Sequence, residues 1–188
     1  MGFFVIQAVY SGDKLCYTKR KLWKWAMNMI RKAVKADLND VLKVYRAAKA
    51  YMVASGNPTQ WEEGYPDCVL DRDIEMGNLY VLCGGDGTIH AAFVFILGEE
   101  ADYAVIEDGS WTSSVPYGTI HRLGSDGAVK GVFTQCLDFC KAISPYIRAD
   151  THHDNRTMQH LFEKHGFVRR GIVHIYDGSP RIAYEFFA

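Results

Sequence analysis

Histidine is the side chain that changes charge near neutral pH, so proton chemistry is sought first at the seven histidines of this sequence. His121 lies in "YGTIHRL", a stretch with strand character, two residues before Leu123. Strand alternation places both side chains on one face. An imidazole there can act as a general base, or can sit in the core against a hydrogen-bond partner; the residues alone leave both open. Asp150 and His152, in "YIRADTH", share a face of the next predicted strand and could orient His121 or bind a substrate group. Glu107 is a further candidate base, and Tyr117 and Ser125 carry hydroxyls that can donate a proton. His153, Asp154, His160 and His165 read as solvated or capping residues. There is no CxxC and no zinc-ligand spacing, so no metal is expected. Cys136 and Cys140 fall one turn apart on the apolar side of a helix rather than beside a base, which argues against hydrolysis through a thiolate.

The element that follows His121 is a glycine-studded turn leading into a helix, "HRLGSDGAVKGVFTQCLDFC". Gly124, Gly127 and Gly131 lie at the start of an apolar-periodic run, Val129, Val132, Phe133, Cys136, Leu137 and Cys140, whose spacing predicts a helix over 129–142. A helix start offers unsatisfied N–H groups and partial positive charge, so it can hold an anion without a Walker-type phosphate loop, which this sequence lacks. The alternative is a plain strand-to-helix connection.

Other elements follow from periodicity and breakers. "MIRKAV" predicts a strand, and Leu38, Val41, Leu42, Val44 and Tyr45 a helix that Asp37 can cap and Gly56-Asn57-Pro58 stops. A short helix is predicted over "PDCVLDRDIEMG", and a hairpin over "NLYVLCGG" and "TIHAAFVFILG" joined by "GGDG". "ADYAVIEDGSW" can extend that meander. "DNRTMQHLFEKHG" predicts a helix with Met158, Leu161 and Phe162 as its stripe, capped by Asp154 or Asn155. "FVRRGIVHIY" and "RIAYEFF" close the chain as strands, the latter exposed enough to pair in a homodimer. The order β-α-α-β-β-β-α-β-α-β-β predicts an α/β (α+β) fold, a sheet with helices on its faces.

Bulk properties set limits. The chain of 188 residues is 48% hydrophobic and 23% charged, which suits one domain with a single sizeable core. A net charge of -1 argues against a nucleic-acid binder, and no apolar run approaches the ~20 residues of a membrane span. Five cysteines without a framework fit a reducing cytoplasm. Residues 1–28 differ from the rest: an apolar run precedes Lys14, Lys19, Arg20, Lys21 and Lys24, opposite in order to a secretory signal. This N-terminal extension reads as an added strand and helix or as translation upstream of the true start, with the main domain over 29–188.

Element order, the turn, and "DNRTMQHLFEKHGF" together resemble the GNAT N-acetyltransferase superfamily over residues 29–188. Asn155 followed by Phe162-Glu163-Lys164-His165-Gly166-Phe167 is the most specific part. Gln60-Trp61, Tyr65-Pro66, Trp111, Tyr117 with His121-Arg122, and Asp150-Thr151-His152 with Asp154-Asn155 are similar to blocks shared by a bacterial type. The resemblance implies a mixed, mostly antiparallel sheet with helices on both faces and a V-shaped splay between two central strands, 117–123 and 146–151. It implies acetyl-coenzyme A as cosubstrate in that splay. The pantetheine arm would run near Leu123 and Ser125, the pyrophosphate would lie on Ala128, Val129, Lys130, Gly131, Val132 and Phe133, and Asn155, Met158 and Phe162 would flank the arm. Only Gly131 keeps the family's phosphate-turn pattern, and Phe162 replaces the tyrosine that often serves as acid. The implied reaction is direct attack of a primary amine, of a small molecule, amino acid or peptide, on the thioester. His121, Asp150 and Tyr117 are the catalytic candidates, and Trp61, Tyr65, Glu107, Trp111 and His152 the acceptor pocket, with Glu62 and Glu63 able to attract a cation. A non-catalytic acyl-coenzyme A binding module is the alternative.

Overall fold

A computed structural model describes residues 29–61 and 64–188. The segment 1–28, Glu62 and Glu63 lie outside the described residues. The "GGDG" turn closes a hairpin between β2 (Leu79–Cys83) and β3 (Ile89–Leu97), with Gly87 in the left-handed region that such a turn requires. On the other side of β2 lies β1, Met29–Lys32. Between β1 and β2 run α1 (Leu38–Ala54) and the short α2 (Leu70–Glu75). Asp37 does not cap α1. Its carboxylate turns back to the Val34 N–H at 2.8 Å and the Arg31 guanidinium at 2.6 and 2.9 Å.

After β3 the chain reaches β4 (Gly118–Ser125), α3 (Val132–Lys141), β5 (Tyr146–Thr151), α4 (Arg156–Lys164), β6 (Val168–His174) and β7 (Pro180–Phe187). Among the described residues seven strands lie in the order β1-β2-β3-β4-β5-β7-β6. All neighbours are antiparallel except β4 and β5. The expected mixed sheet is therefore present. The 101–111 stretch does not extend the meander; it forms a short 3-10 turn, Ala101–Tyr103, and touches the sheet through one bridge, Glu107 to Ile172. β7 is paired on both sides, by β5 and β6, so it offers no edge to a second copy. No helix among the described residues is long and apolar enough to cross a membrane.

Helices cover both faces. Against one face α1 buries Val41, Val44, Tyr45, Ala48 and Met52, a stripe at helical spacing. Against the other, α3 buries Phe133, Cys136, Leu137 and Cys140, and α4 buries Phe162. Burial pushes the Cys136 thiol up to about 12, so it is inert at neutral pH.

The loop before β4 is held by buried charge. Arg148 lies 3.9 Å from the Tyr117 ring and 4.2 Å from the Trp111 ring, and donates to Ser113 O at 2.7 Å. Glu185, with a side chain 1% exposed, accepts from the Tyr146 hydroxyl at 2.7 Å, from Thr112 N–H at 3.2 Å and from the Thr112 hydroxyl, and meets Arg170 at 2.5 Å. Burial works to raise its pKa, but those donors hold it below the usual value. Glu185→Ala strands the Arg170 charge and the Tyr146 hydroxyl. It is expected to lower unfolding free energy by about 3–5 kcal/mol in a urea titration.

Candidate active site

The parallel pairing of β4 and β5 is short. It joins Gly118, Thr119 and Ile120 to Ile147, Arg148 and Ala149 and then ends, although β4 runs on to Ser125 and β5 to Thr151. The two strands part at His121 and Asp150, and the V-shaped splay opens there.

A bulge in β4 lies at the same place. Val94 pairs with His121 and Ala92 with Gly124, so β4 spends three residue steps where β3 spends two. Arg122 takes up the extra residue at φ 52, a left-handed conformation that costs about 1–3 kcal/mol outside glycine. This overturns the shared face of His121 and Leu123. Leu123 packs with the core under α3 and α4, whereas His121 lies across from Val94, on the α1 side. Gly124 serves helix packing rather than ligand approach: a Cβ there would come within 2.9 Å of the Tyr45 ring.

His121 Nε2 lies 3.0 Å from Glu100 Oε2, and Nδ1 lies 3.9 Å from Asp150 Oδ2. The hydrogen bond from His121, working against burial, holds Glu100 below the usual carboxylate value. An ionised carboxylate only accepts, so Nε2 carries the ring proton when the imidazole is neutral. Nδ1 is then the nitrogen left to take a proton, with Asp150 placed to stabilise the charge. Asp150 in turn accepts from the buried Tyr103 hydroxyl at 2.8 Å and faces Arg181 Nε at 4.0 Å. Burial and the Asp150 charge push Tyr103 well up, so it stays a donor. Burial raises Asp102, aided by Glu100 and Asp150. Burial, with His153 and Arg181, lowers His152, which stays neutral at pH 7.

A cavity of about 730 Å³ opens at this point. Its walls bring together His121, Asp150, Leu123, Phe133, Asn155, Met158, Phe162, Trp61, Tyr65 and His152 from the residues predicted. Ser125, Ala128, Val129, Lys130, Gly131 and Val132, predicted to hold the cosubstrate, lie outside that lining, and three of the predicted catalytic and acceptor residues are elsewhere. Tyr117 is buried, and its hydroxyl accepts from Glu100 N–H at 2.9 Å. Trp111 stacks on Arg148 and donates to Tyr103 O at 3.0 Å. Glu107 is exposed and pairs with His174 at 3.2 Å. Sequence reasoning missed Glu100, Tyr103, Asp73 and Arg181, whose spacing along the chain follows no catalytic pattern, and named Arg122 only as part of a block without a role.

The turn after β4 suits a phosphate. Gly127 and Gly131 have φ 78 and 69, and a Cβ at either would meet nothing within 4 Å among the described residues, so glycine is there for conformation. α3 begins at Val132, not Val129, leaving Ala128, Val129 and Lys130 in the turn. Gln135 N–H bonds back to Gly131 O, so the amides of Val132, Phe133 and Thr134 fall in the first turn, whose N–H groups have no helical acceptor. Ser125 ends the part of β4 that β5 leaves unpaired, an open edge for an extended ligand. These features fit an acyl-coenzyme A. His152, His153 and Asp154 have possible metal-ligand atoms within 4.8 Å of one another, but they sit at the positive end of α4, which disfavours a cation.

No family model matches the chain, and no curated protein does. Among solved structures, an acetyltransferase of the GNAT family from Streptococcus agalactiae is 29% identical with a TM-score of 0.77, covering 86% of this chain and 95% of that one. The chain belongs to the GNAT superfamily. A GNAT-family acetyltransferase from Listeria monocytogenes shares the fold at 19% identity and a TM-score of 0.66, covering 86% and 95%. The NatC complex bound to Gag peptide and CoA shares it at 11% identity and a TM-score of 0.56, covering 86% and 98%. GNAT acetyltransferases use acetyl-coenzyme A, and the splay, turn and α3 start of this member lie where the resemblance implies that cosubstrate.

The lowered Glu100 pKa has a sign that can be measured. The His121 contact stabilises the fold fully above the ordinary glutamate value of 4.5, and the contribution is lost as pH falls through the lowered folded value. The stability gap between the wild type and Glu100→Gln is therefore expected to be constant near neutrality and to close in acid, as followed by thermal unfolding across pH.

Proposed function

We propose that this GNAT protein transfers acetyl from acetyl-coenzyme A directly to a primary amine of a small molecule, an amino acid or a peptide terminus. The observation that carries the reading is that the β4–β5 pairing ends at Ile120 and Ala149, so that the cavity opens beside His121 and Asp150. The cosubstrate would follow the unpaired edge of β4, with its pyrophosphate on the first amides of α3 and Lys130 nearby. The amine would enter past Trp61 and Tyr65, which form the aromatic wall of the cavity.

An amine must lose a proton to attack. His121 Nδ1 would take it, directly or through water, and Glu100 and Asp150 would stabilise the imidazolium. Glu107, Trp111 and Tyr117 drop out of these roles because they are engaged away from the cavity. Phe162 is buried in the core and has no proton to give. The thiolate of coenzyme A would leave unprotonated or take a proton from water. Asn155 accepts Met158 N–H at 3.0 Å and donates to Gln60 at 2.7 Å, so a pantetheine carbonyl would compete with Gln60 for its amide. The chemistry needs no membrane or nucleic acid, and the cytoplasm supplies the cosubstrate.

Titration calorimetry with acetyl-coenzyme A, coenzyme A and ATP tests the first half. Micromolar binding of acetyl-coenzyme A with ATP inert is expected, and no binding by the acetyl form would sink the reading. An amine screen tests the second half. In it, His121→Gln is expected to keep cosubstrate binding and to lower kcat by roughly a hundred- to ten-thousandfold. Unchanged turnover would remove His121 from the mechanism.

A further inference from the structure

Arg122 is a strained residue with an expensive partner. Its backbone is left-handed at φ 52, and its guanidinium is withdrawn from water against Asp73, Nη2 to Oδ1 at 2.9 Å. The two side chains are only 15% and 9% exposed. As a stabilising device the pair is poor: Asp73 Oδ2 and Arg122 Nε are buried without hydrogen-bond partners among the described residues, and apolar residues could fill the same space. What the pair does is geometrical. Asp73 stands on α2, Arg122 is the extra residue of the β4 bulge, and the same guanidinium donates through Nη1 to the Tyr65 hydroxyl at 3.2 Å. Three parts of the chain that touch the cavity are thereby joined at one point. Were Arg122 in regular strand conformation rather than bulged, alternation would return His121 and Leu123 to one face.

We propose that Asp73 is a positioning residue: by holding Arg122 in the bulge it aims His121 into the acceptor half of the cavity and fixes the Tyr65 wall against it. This rests on the reading of His121 as base for amine acetylation. Asp73 touches neither cosubstrate nor amine in this account; it acts through Arg122. The consequence is a separation of effects. The α3 start, which takes the pyrophosphate, does not depend on Asp73, whereas the aim of His121 does.

The test compares Asp73→Asn, which keeps volume, Arg122→Gly, which relieves the backbone, and the double variant. Each is titrated with acetyl-coenzyme A, assayed against a panel of amino acids, diamines and a tripeptide, and followed by hydrogen exchange over residues 57–69 and 118–125. Asp73→Asn is expected to bind one equivalent of acetyl-coenzyme A with little change in affinity, while kcat falls by roughly ten- to a hundredfold. Exchange is expected to rise in both segments together. The double variant is expected to be no worse than the more impaired single, the signature of two residues acting as one unit. A merely structural role would lower the number of acetyl-coenzyme A sites in step with kcat, and that result would overturn the proposal. So would losses that multiply in the double variant, or unchanged exchange over 118–125 in Asp73→Asn. If the wild type acetylates no amine in the panel, the transferase reading fails, and the exchange data still decide whether Asp73 holds the bulge.

Discussion

Three residue pairs of parallel sheet decide most of what this molecule can do. Where Gly118–Ile120 lie against Ile147–Ala149 the two halves of the sheet are one surface. One residue later they are two, because β4 bulges at Arg122 and β5 ends after Thr151. Strands that part leave backbone N–H and C=O groups without partners, and such groups must be met by water, side chains or a ligand. The site is thus first a defect in hydrogen bonding and only second a set of side chains. His121 and Asp150 are the first residues beyond the last pair, which places them at the bottom of the opening.

Buried charge fixes the walls around that opening. Arg148 among Trp111, Tyr117 and Tyr146, and Glu185 among Thr112, Tyr146 and Arg170, hold the loop that runs into β4. Away from the cavity, the half-buried pair of Asp37 and Arg31 ties the start of α1 to β1. Ion pairs withdrawn from water contribute little net stability compared with apolar packing, but they tolerate few alternative arrangements. Here they lie at the ends of loops, where apolar contacts under α1, α3 and α4 do not reach. The apolar core sets where the layers go; the charges set where their connections come to rest.

The fold was legible because its signals are local. Helical spacing in α1, α3 and α4, the "GGDG" hairpin and the asparagine before α4 each report on a few neighbouring residues, and each element formed. Of the two predicted caps, Asp154 and Asn155, it is Asn155 that caps α4. Sequence failed where a partner comes from far along the chain. Asp37 is the local exception: it suits a cap by type, yet Arg31, six residues earlier, claims it. Glu107, Trp111 and Tyr117 have the right chemistry, but the loop that carries them packs against β5, β6 and β7 rather than the cavity. Glu100 meets His121 only because β3 and β4 are antiparallel neighbours, and a single carboxylate after a strand gives no sign of it. The alternation argument for His121 and Leu123 failed for a different reason: a bulge needs an extra residue, and Arg122 is not the glycine that would advertise one.

β7 is made after β6 yet lies between β5 and β6. The β5 side of the opening, with Asp150, therefore has no sheet neighbour beyond the short β4 contact until a later segment slots in. The same segment brings Arg181 to face Asp150 and Glu185 to its buried partners. A helix or hairpin can form as soon as its own residues are available, whereas this insertion joins residues far apart in the chain and must wait. A nascent chain lacking β7 would hold the hairpin and α1 but no finished pocket. Binding competence would then appear late and abruptly, as one event with the closing of the sheet, and half-made molecules would expose the flank of β5 to other chains.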